Sequence, residues 1–382
     1  MNNDARHWRE ERDHAERRKS NGGSPPSARF KLIDWNDIAF DAREQWLIED
    51  VLPLRGLGLV FGKQGSFKSF VATGLALAVM LGEPWAGKHV EKGSILYLAA
   101  EGGPGMAKRI APHKATHKIP RGQFALVSTT PNLGAGEGDL PALIAAVEGV
   151  NFVPALIVID TAAAAIGAAD ENGAGMASLI ANVAKLAQRF DCFVLIVHHV
   201  GHDDGAKKRP RGWSGLGPAL DVQILCERPE GEMRTVLTVQ KQKEEADGIC
   251  FEARLSRVLI YEDEDGKQIS TLVVDRFRKA DPGELPATDT RTAALVLEHE
   301  LLNAYDRLAD AAPKTPGFTG KDVLKVKVEA VRDALKERGL LDMDDATLSI
   351  TNTGRSQFLR AKTKLIGRKK LIEDKRLIWR PV

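Results

Sequence analysis

The sequence of 382 residues is almost neutral, with 54 Lys and Arg against 52 Asp and Glu. Its length is enough for one full α/β domain and one or two smaller units, so we expect two domains and a tail. A net charge of +2 excludes nucleic-acid binding through the field of the whole protein; any such affinity must come from local basic clusters. The three cysteines lie singly in apolar stretches, which predicts reduced thiols and excludes a disulfide framework or a zinc ribbon.

The N-terminal region shows no apolar core of a secretory signal. The longest apolar helical pattern, Phe70 to Leu81, is too short to span a bilayer. We therefore expect a cytoplasmic protein without a membrane partner. Residues 1–30 are polar and contain Gly-Gly and Pro-Pro pairs, which predicts a flexible tail, although Arg6 to Lys19 is also compatible with a short charged helix.

The strongest motif lies between Leu57 and Val71. A short apolar strand, Leu59 to Phe61, is followed by a glycine-containing turn and by a helical apolar pattern from Ser69 to Met80. Backbone N–H groups in such a turn, together with the N-terminus of the helix, bind phosphate groups. The pattern predicts an ATP site. Its residues are Gly62, Lys63, Gln64, Gly65, Ser66, Phe67, Lys68 and Ser69.

Two side chains of this loop have specific predicted roles. Lys68 is expected to contact the β- and γ-phosphates, and the Ser69 hydroxyl is expected to hold Mg²⁺. Phe67 departs from the pattern G-x-x-x-x-G-K-[ST], since it stands where a glycine is usual before the lysine. An ordinary glycine-rich turn is the alternative interpretation, but the strand before the loop and the helix after it favour a nucleotide site.

Two carboxylates follow predicted buried strands. Glu101 comes after the strand Gly93 to Ala100, at the sheet edge where ligands of α/β proteins bind, and is a candidate base for the water that attacks the γ-phosphate. Asp160 ends the aliphatic run Ala155 to Asp160 and is expected to hold Mg²⁺ through water. A solvated loop acid or helix cap remains the alternative for Glu101, and a turn-capping acid for Asp160.

A further buried strand, Cys192 to Val197, ends in two histidines. Strands that are apolar throughout and alternate with helices predict a parallel sheet covered on both faces. We favour one histidine, His199, as a sensor of the γ-phosphate. A dedicated metal site is the alternative; its residues would be His198, His199, His202, Asp203 and Asp204.

The next segment is predicted to be a mobile basic loop for the phosphate backbone of single-stranded DNA, with a merely solvated loop as the alternative. Its basic residues are Lys207, Lys208, Arg209 and Arg211. Three later runs alternate like strands and are expected to extend the sheet in antiparallel fashion. Lys241 and Lys243 lie between two of them, on an expected charged loop.

Asp281 to Pro286 has the composition of a linker. We therefore predict four parts: a tail (1–30), an ATPase domain (31–280), a linker (281–290) and a C-terminal domain (291–382). From Lys314 onward, seventeen Lys and Arg stand against nine Asp and Glu, a net charge of +8. The order helix, turn, basic helix and hairpin is that of a winged helix-turn-helix that binds duplex DNA. Its candidate DNA contacts are Arg355, Arg360 and Lys364; a small cap that packs on the ATPase is the alternative.

Taken together, these features resemble the RecA-like ATPases, and most closely the RepA-type replicative helicases of plasmids and phages. The similarity extends from about Trp46 to Phe277. It rests on the P-loop, on Glu101, on the strand ending at Asp160, on Val197-His-His-Val-Gly201, on Arg211-Gly-Trp-Ser-Gly215 and on Gln240-Lys-Gln-Lys243.

The resemblance implies a RecA-like α/β fold, a homo-hexameric ring, ATP hydrolysis between subunits and single-stranded DNA threaded through the centre. By position, Glu101 is similar to the catalytic glutamate, His199 to the sensor, and Lys241 or Lys243 to the basic residue supplied by a neighbouring subunit. The expected function is an ATP-dependent DNA motor of plasmid or phage replication. A nucleotide-gated DNA-binding regulator or recombination mediator that assembles on DNA without unwinding is the alternative.

Overall fold

The computed structural model describes residues 34–37, 46–99, 103–200, 210, 213–243, 247–262, 264–280, 290–317, 321–344, 347 and 349–381. The chain divides into two compact units, Met1–Arg43 and Glu44–Val382. In the first unit, the described residues form a single 3-10 turn at Trp35–Asp37. The predicted tail, 1–30, and the predicted linker residues 281–289 lie outside the described residues. All elements named below belong to the second unit.

A nine-stranded sheet forms the centre of this unit, preceded by a small antiparallel pair, β1 (Trp46–Ile48) and β2 (Leu52–Pro53). The sheet strands are β3 (Gly56–Gly62), β4 (Ile95–Ala99), β5 (Phe124–Val127), β6 (Leu156–Asp160), β7 (Phe193–His199), β8 (Val222–Glu227), β9 (Arg234–Gln242), β10 (Cys250–Glu262) and β11 (Gln268–Lys279). Across the sheet their order is β11-β10-β9-β8-β3-β7-β6-β4-β5. Strands β3 to β8 pair in parallel and β9 to β11 are antiparallel, which confirms the predicted mostly parallel sheet with an antiparallel extension.

Helices cover both faces of the parallel part. They are α1 (Lys68–Leu81), α2 (Gly103–Thr116), α3 (Leu140–Gly149), α4 (Ala162–Ile166), α5 (Ala174–Phe190) and α6 (Leu216–Ala219). Successive residues of a strand enter opposite cores: Tyr97 lies in the core beneath α1, whereas Leu96 and Leu98 lie in the core beneath α5. Burial on both faces explains why these strands read as continuous apolar runs.

The C-terminal part has the element order of a winged helix. Its elements are α7 (Thr290–Ala309), β12 (Lys314–Pro316), β13 (Asp322–Leu324), β14 (Val326–Lys327), α8 (Val328–Glu337), β15 (Met343–Asp344), β16 (Ser349–Ile350), α9 (Asn352–Gly367), β17 (Ile372–Asp374) and β18 (Leu377–Trp379). Strand β18 lies between β14 and β17 in a three-stranded sheet. The two helices and the terminal hairpin agree with the sequence-based expectation.

Helix α7 joins this part to the large sheet. Its Val296 packs against Cys250 and Ala280, and the backbone of Leu295 lies so close to Gly248 that a Cβ there would be 2.1 Å from the Leu295 carbonyl oxygen. The φ of Gly248 is +92°, a second reason for a glycine at this position. The C-terminal part is therefore packed on the loop between β9 and β10.

Three local expectations are corrected. The segment Ala162 to Ala174, predicted as a loop, contains α4, since alanine has the highest helix propensity. Lys241 lies within β9, because residues up to Gln242 keep their pairing with β8. The short hairpins β12–β13 and β15–β16 were not predicted. None of the helices in the described part of the chain is long and apolar enough to cross a membrane.

All three cysteines are buried free thiols, in agreement with the prediction. Burial raises the pKa of Cys192, Cys226 and Cys250 to about 12. Such thiols are poor nucleophiles at neutral pH.

Candidate functional site

The phosphate-binding loop begins where β3 ends, between two parallel neighbours. Gly62 lies opposite His199 of β7 and Cys226 of β8. A Cβ at Gly62 would come within 2.3 Å of the Cys226 carbonyl oxygen, so only glycine fits here without displacing β8. Gly65 has a φ of +78°, which glycine adopts at no steric cost. The two predicted glycines are thus explained by close approach and by backbone conformation.

The loop closes on itself through the carbonyl oxygen of Lys63. The Ser66 hydroxyl donates to it at 2.8 Å, and the Lys68 ammonium group donates to it at 2.7 Å. Lys68 is 6% exposed. A buried lysine held inside a curled loop has the geometry of a phosphate-binding cradle.

Phe67, the departure from the usual motif, has a left-handed backbone conformation with φ 63°. Its ring meets Phe70 edge to face at a centroid distance of 6.2 Å, and the Arg228 guanidinium lies 4.2 Å from its ring centroid. A left-handed conformation costs a non-glycine residue about 1–2 kcal/mol. The ring contacts offset part of that cost, and they are contacts within the chain itself.

Ser69 and Asp160 lie together at the start of α1 and the end of β6. The Ser69 hydroxyl donates to Asp160 Oδ1 at 3.0 Å, and Asp160 is 4% exposed. Hydroxyl and carboxylate oxygens beside a phosphate cradle are donors that suit Mg²⁺, which prefers oxygen ligands and completes its shell with water and phosphate. These two residues would hold the ion.

Two neighbours of Asp160 were missed by sequence reasoning. The Tyr97 hydroxyl donates to Asp160 Oδ2 at 2.8 Å, and Arg109 Nη1 lies 3.5 Å from the same oxygen. Burial, and then the negative charge of Asp160, raise the pKa of Tyr97. The available signal was a tyrosine inside an otherwise aliphatic strand, since a buried tyrosine hydroxyl usually has a hydrogen-bond partner.

A cavity of about 440 Å³ adjoins the loop, lined by residues 63–66 of the loop and 225–231 after β8. Ligand pockets commonly measure about 300–1,000 Å³, so a nucleotide-sized ligand can be accommodated beside the cradle.

The structure brings one predicted sensor to this site. His199 is half-buried and pairs with Gly62 across the β3–β7 ladder. His198 is fully buried, with Nδ1 3.8 Å from a Glu171 oxygen. Glu101 lies outside the described residues, as do His202, Asp203 and Asp204 of the alternative metal site. Within the described part of the chain, no group of three His, Cys, Asp or Glu side chains is arranged to hold a metal.

Lys241 and Lys243 lie at the other edge of the sheet. Strand β9 runs antiparallel to β8, so Gln242 pairs with Val222 at the beginning of β8, whereas Gly62 pairs with Cys226 near its end. Six residues of strand span about 20 Å. Neither lysine can therefore reach the phosphate cradle of its own chain.

Both lysines have partners within the chain. The Lys241 ammonium group donates to the carbonyl oxygens of Gly217, at 2.9 Å, and Leu220, at the end of α6. Lys243 forms an ion pair with Asp221 at 2.5 Å. Burial and then the charge of Lys243 lower the pKa of Lys241.

The candidate DNA contacts divide into three groups. Lys207, Lys208, Arg209 and Arg211 lie outside the described residues. Arg355 and Arg360 are exposed on α9. Lys364 lies on the same helix, but its ammonium group is 2.6 Å from Glu298 of α7, and Arg368 is 3.0 Å from the other oxygen of that carboxylate. Lys364 thus joins α9 to α7.

Residues 24–205 match a family model described as an AAA domain. The matched segment ends shortly after β7 and includes the cradle, Ser69 and Asp160. The first half of the chain is a RecA-like P-loop ATPase domain. The antiparallel strands and the winged-helix part lie beyond the matched segment.

A search of curated proteins gave no match to this sequence. Among solved structures, the RadB recombinase crystal structure is similar at 16% identity and a TM-score of 0.37. The match covers 53% of this chain and 87% of the other. A likeness of this size carries no statement about what this chain binds or does.

Proposed function

We propose that this protein is an ATP-driven DNA motor of the replicative-helicase type. In this proposal ATP binds in the P-loop cradle with Mg²⁺, subunits form a homo-hexameric ring, and single-stranded DNA passes through its centre. The observation that carries the proposal is the separation of the two basic groups. The cradle with Lys68 is at one edge of the sheet, while Lys241 and Lys243 are at the other.

At the cradle, Lys68 neutralises the β- and γ-phosphates. Its ammonium group, now on the Lys63 carbonyl oxygen, exchanges that partner for phosphate oxygens. Ser69 and Asp160 hold Mg²⁺, which when bound offsets the negative charge that develops on the transferred phosphate. Glu101 is proposed to accept the proton of the attacking water, and His199, beside Gly62, to sense the γ-phosphate.

Hydrolysis between subunits follows from the position of the lysines. A second subunit whose β9 edge packs against the cradle would bring Lys241 or Lys243 to the γ-phosphate of its neighbour, where a cation stabilises the transition state. In the single subunit Lys243 is held by Asp221 and Lys241 by the α6 carbonyls. Assembly is therefore proposed to exchange one of these partners for the nucleotide.

DNA contacts are proposed at two regions. Lys207, Lys208, Arg209 and Arg211 would follow the backbone of the single strand in the channel, because lysine and arginine neutralise phosphates without reading bases. Arg355 and Arg360, exposed on α9, would contact duplex DNA.

A second function is favoured by one specific observation. The order of helices and the three-stranded wing sheet at the C-terminus are those of a groove-binding unit. A nucleotide-gated DNA-binding regulator or recombination mediator would use such a unit to choose its site and would assemble on DNA without separating strands.

A forked-duplex unwinding assay tests the choice between the two. The motor predicts strand separation that requires ATP and disappears in Lys68→Ala, with duplex binding retained in that variant. ATP hydrolysis and DNA binding with the strands left paired would reject the motor and support the regulator.

A further inference from the structure

The two oxygens of the Asp160 carboxylate have different neighbours. Oδ1 accepts the Ser69 hydroxyl at 3.0 Å and thus faces the predicted Mg²⁺ position. Oδ2 faces away from the loop, toward Tyr97 at 2.8 Å and Arg109 at 3.5 Å. Because Asp160 is 4% exposed, water cannot freely replace these contacts. The neighbours of Oδ2 therefore decide how Oδ1 is presented.

Tyr97 is built into the sheet. It lies in β4 opposite Val158 of β6, two residues before Asp160 and on the same face, and its side chain is fully buried. Its pKa is raised by burial and by Asp160, which keeps the hydroxyl protonated and able to donate. Thr73 contacts the same hydroxyl and donates to the Ser69 carbonyl oxygen at 2.7 Å. The carboxylate is thereby tied to the first turns of α1.

Arg109 differs from Tyr97 in charge and in freedom. It comes from α2, its guanidinium lies 5.1 Å from the Phe70 ring centroid, and its side chain is 28% exposed. It also lines a cavity of about 560 Å³ between α1, α2 and β11, which gives the side chain room to move away from Oδ2. A positive charge at Oδ2 opposes a second positive charge arriving at Oδ1.

We propose that Tyr97 and Arg109 are positioning residues that set the divalent-cation affinity of the site in opposite directions. Tyr97 holds the carboxylate so that Oδ1 faces the ion, and its loss weakens binding. Arg109 is a movable counter-ion that occupies Oδ2 without the ion and withdraws along the Phe70 ring into the cavity when the ion binds; its neutralisation strengthens binding. The inference rests on the proposed nucleotide site.

The test measures metal binding without hydrolysis. Mn²⁺ is titrated into the full-length protein saturated with ADP, and free Mn²⁺ is followed by electron paramagnetic resonance. Tyr97→Phe should raise the Mn²⁺ half-saturation concentration about tenfold, the usual effect of losing a partner of a metal ligand. Arg109→Gln should lower it by about fivefold at low ionic strength, because one repulsive charge is removed.

Two controls separate this role from a structural one. Arg109→Lys keeps the charge and should bind Mn²⁺ like the unaltered protein. Lys108→Gln removes an exposed charge one residue away and should change little. Fluorescent ADP binding in EDTA should be the same for Tyr97→Phe and the unaltered protein, which shows that the cradle has kept its fold.

The outcomes are distinct. Opposite shifts for Tyr97→Phe and Arg109→Gln support the inference. Shifts in the same direction, or an Arg109→Gln titration that matches Lys108→Gln, overturn it while leaving the nucleotide site intact. Failure of the unaltered protein to bind ADP at all would instead reject the proposed function.

Discussion

The nucleotide site and the winged-helix part use charged residues in opposite ways. At the nucleotide site the charged groups are themselves buried: Lys68 is 6% exposed and Asp160 is 4% exposed. In the winged-helix part the buried charges are carboxylates of α7, and the cations that meet them come from the surface. Glu298 binds Lys364 and Arg368 in this way.

This difference changes the meaning of the basic composition. The net charge of +8 after Lys314 suggests a broad DNA-binding surface, yet several of these cations neutralise acidic side chains within the chain. The pairs are Lys362–Glu373, Lys364–Glu298, Arg368–Glu298, Arg338–Glu300, Arg376–Glu329 and Arg380–Asp306. Exposed residues such as Arg355 and Arg360 are better candidates for DNA than residues chosen by charge alone.

The largest expected effect concerns the buried lysine. Lys68→Ala should abolish ATP hydrolysis and weaken ATP binding, because the β- and γ-phosphates lose their main side-chain counter-charge. A steady-state ATPase assay checks this. Lys185→Ala, which removes an exposed lysine paired with Glu137, is the matched control and should keep full activity. Normal turnover in Lys68→Ala would reject the cradle.

The second prediction separates exposed from paired cations on α9. Arg355→Ala combined with Arg360→Ala should weaken duplex binding by about tenfold or more and reduce its salt slope by about two, with the unfolding free energy unchanged. Lys364→Ala should change duplex binding less and lower the unfolding free energy, since Glu298 keeps only Arg368 as a partner. Fluorescence anisotropy and urea unfolding check both. Equal DNA effects in the two variants would remove the distinction.

The third prediction releases the paired cations. Glu298→Gln should lower the unfolding free energy by about 1–2 kcal/mol, because two charge-assisted contacts of a buried carboxylate are lost. The same change should strengthen duplex binding a few-fold, since Lys364 and Arg368 become available to phosphates. A variant that loses both stability and DNA affinity would show that the two cations are not near the DNA.

The smallest expected effect is a pH dependence at the junction of α7 with the β9–β10 loop. Burial lowers the pKa of His299 to about 4, below its ordinary value near 6.5, and neither ring nitrogen has a hydrogen-bond partner among the described residues. The unfolded chain therefore binds a proton more readily. This contribution to stability is complete above about pH 6.5 and is lost as the pH falls toward 4.

Urea unfolding at several pH values tests this dependence. The unfolding free energy of the unaltered protein should fall by about 1–3 kcal/mol between pH 7 and pH 4.5 from this residue. His299→Leu should remove that part of the loss, whereas His89→Leu, at an exposed position, should keep it. Identical pH profiles for His299→Leu and the unaltered protein would contradict the assignment.

The sequence was most informative where one local pattern determines both structure and site. The aliphatic run that ends at Asp160 and the glycines around Lys68 predicted their strands, their edge of the sheet and their neighbourhood, because parallel strands end on the same side. Tyr97 and Arg109 were missed, since their contact with Asp160 depends on strand order and on the course of α2. The pairing of Lys364 with Glu298 was likewise out of reach, because it joins residues far apart in the chain.

Lys241 shows how a correct residue can have a wrong setting. Its polar neighbours Gln240 and Gln242 suggested a loop, but both are buried in β9 at the sheet edge far from the cradle. That edge is the basis for proposing that the lysines act on a neighbouring subunit.

The most direct test of the account is therefore the ATPase activity of mixed subunits. Lys68→Ala lacks the cradle lysine and Lys243→Ala lacks the proposed trans cation, so each alone should be nearly inactive. Mixed in varying proportions, they should form interfaces with an intact cradle on one side and an intact Lys243 on the other, and activity should pass through a maximum near equal amounts. The same series with Lys241→Ala identifies which lysine acts. Activity that never exceeds the weighted sum of the two variants, in both series, would contradict hydrolysis between subunits.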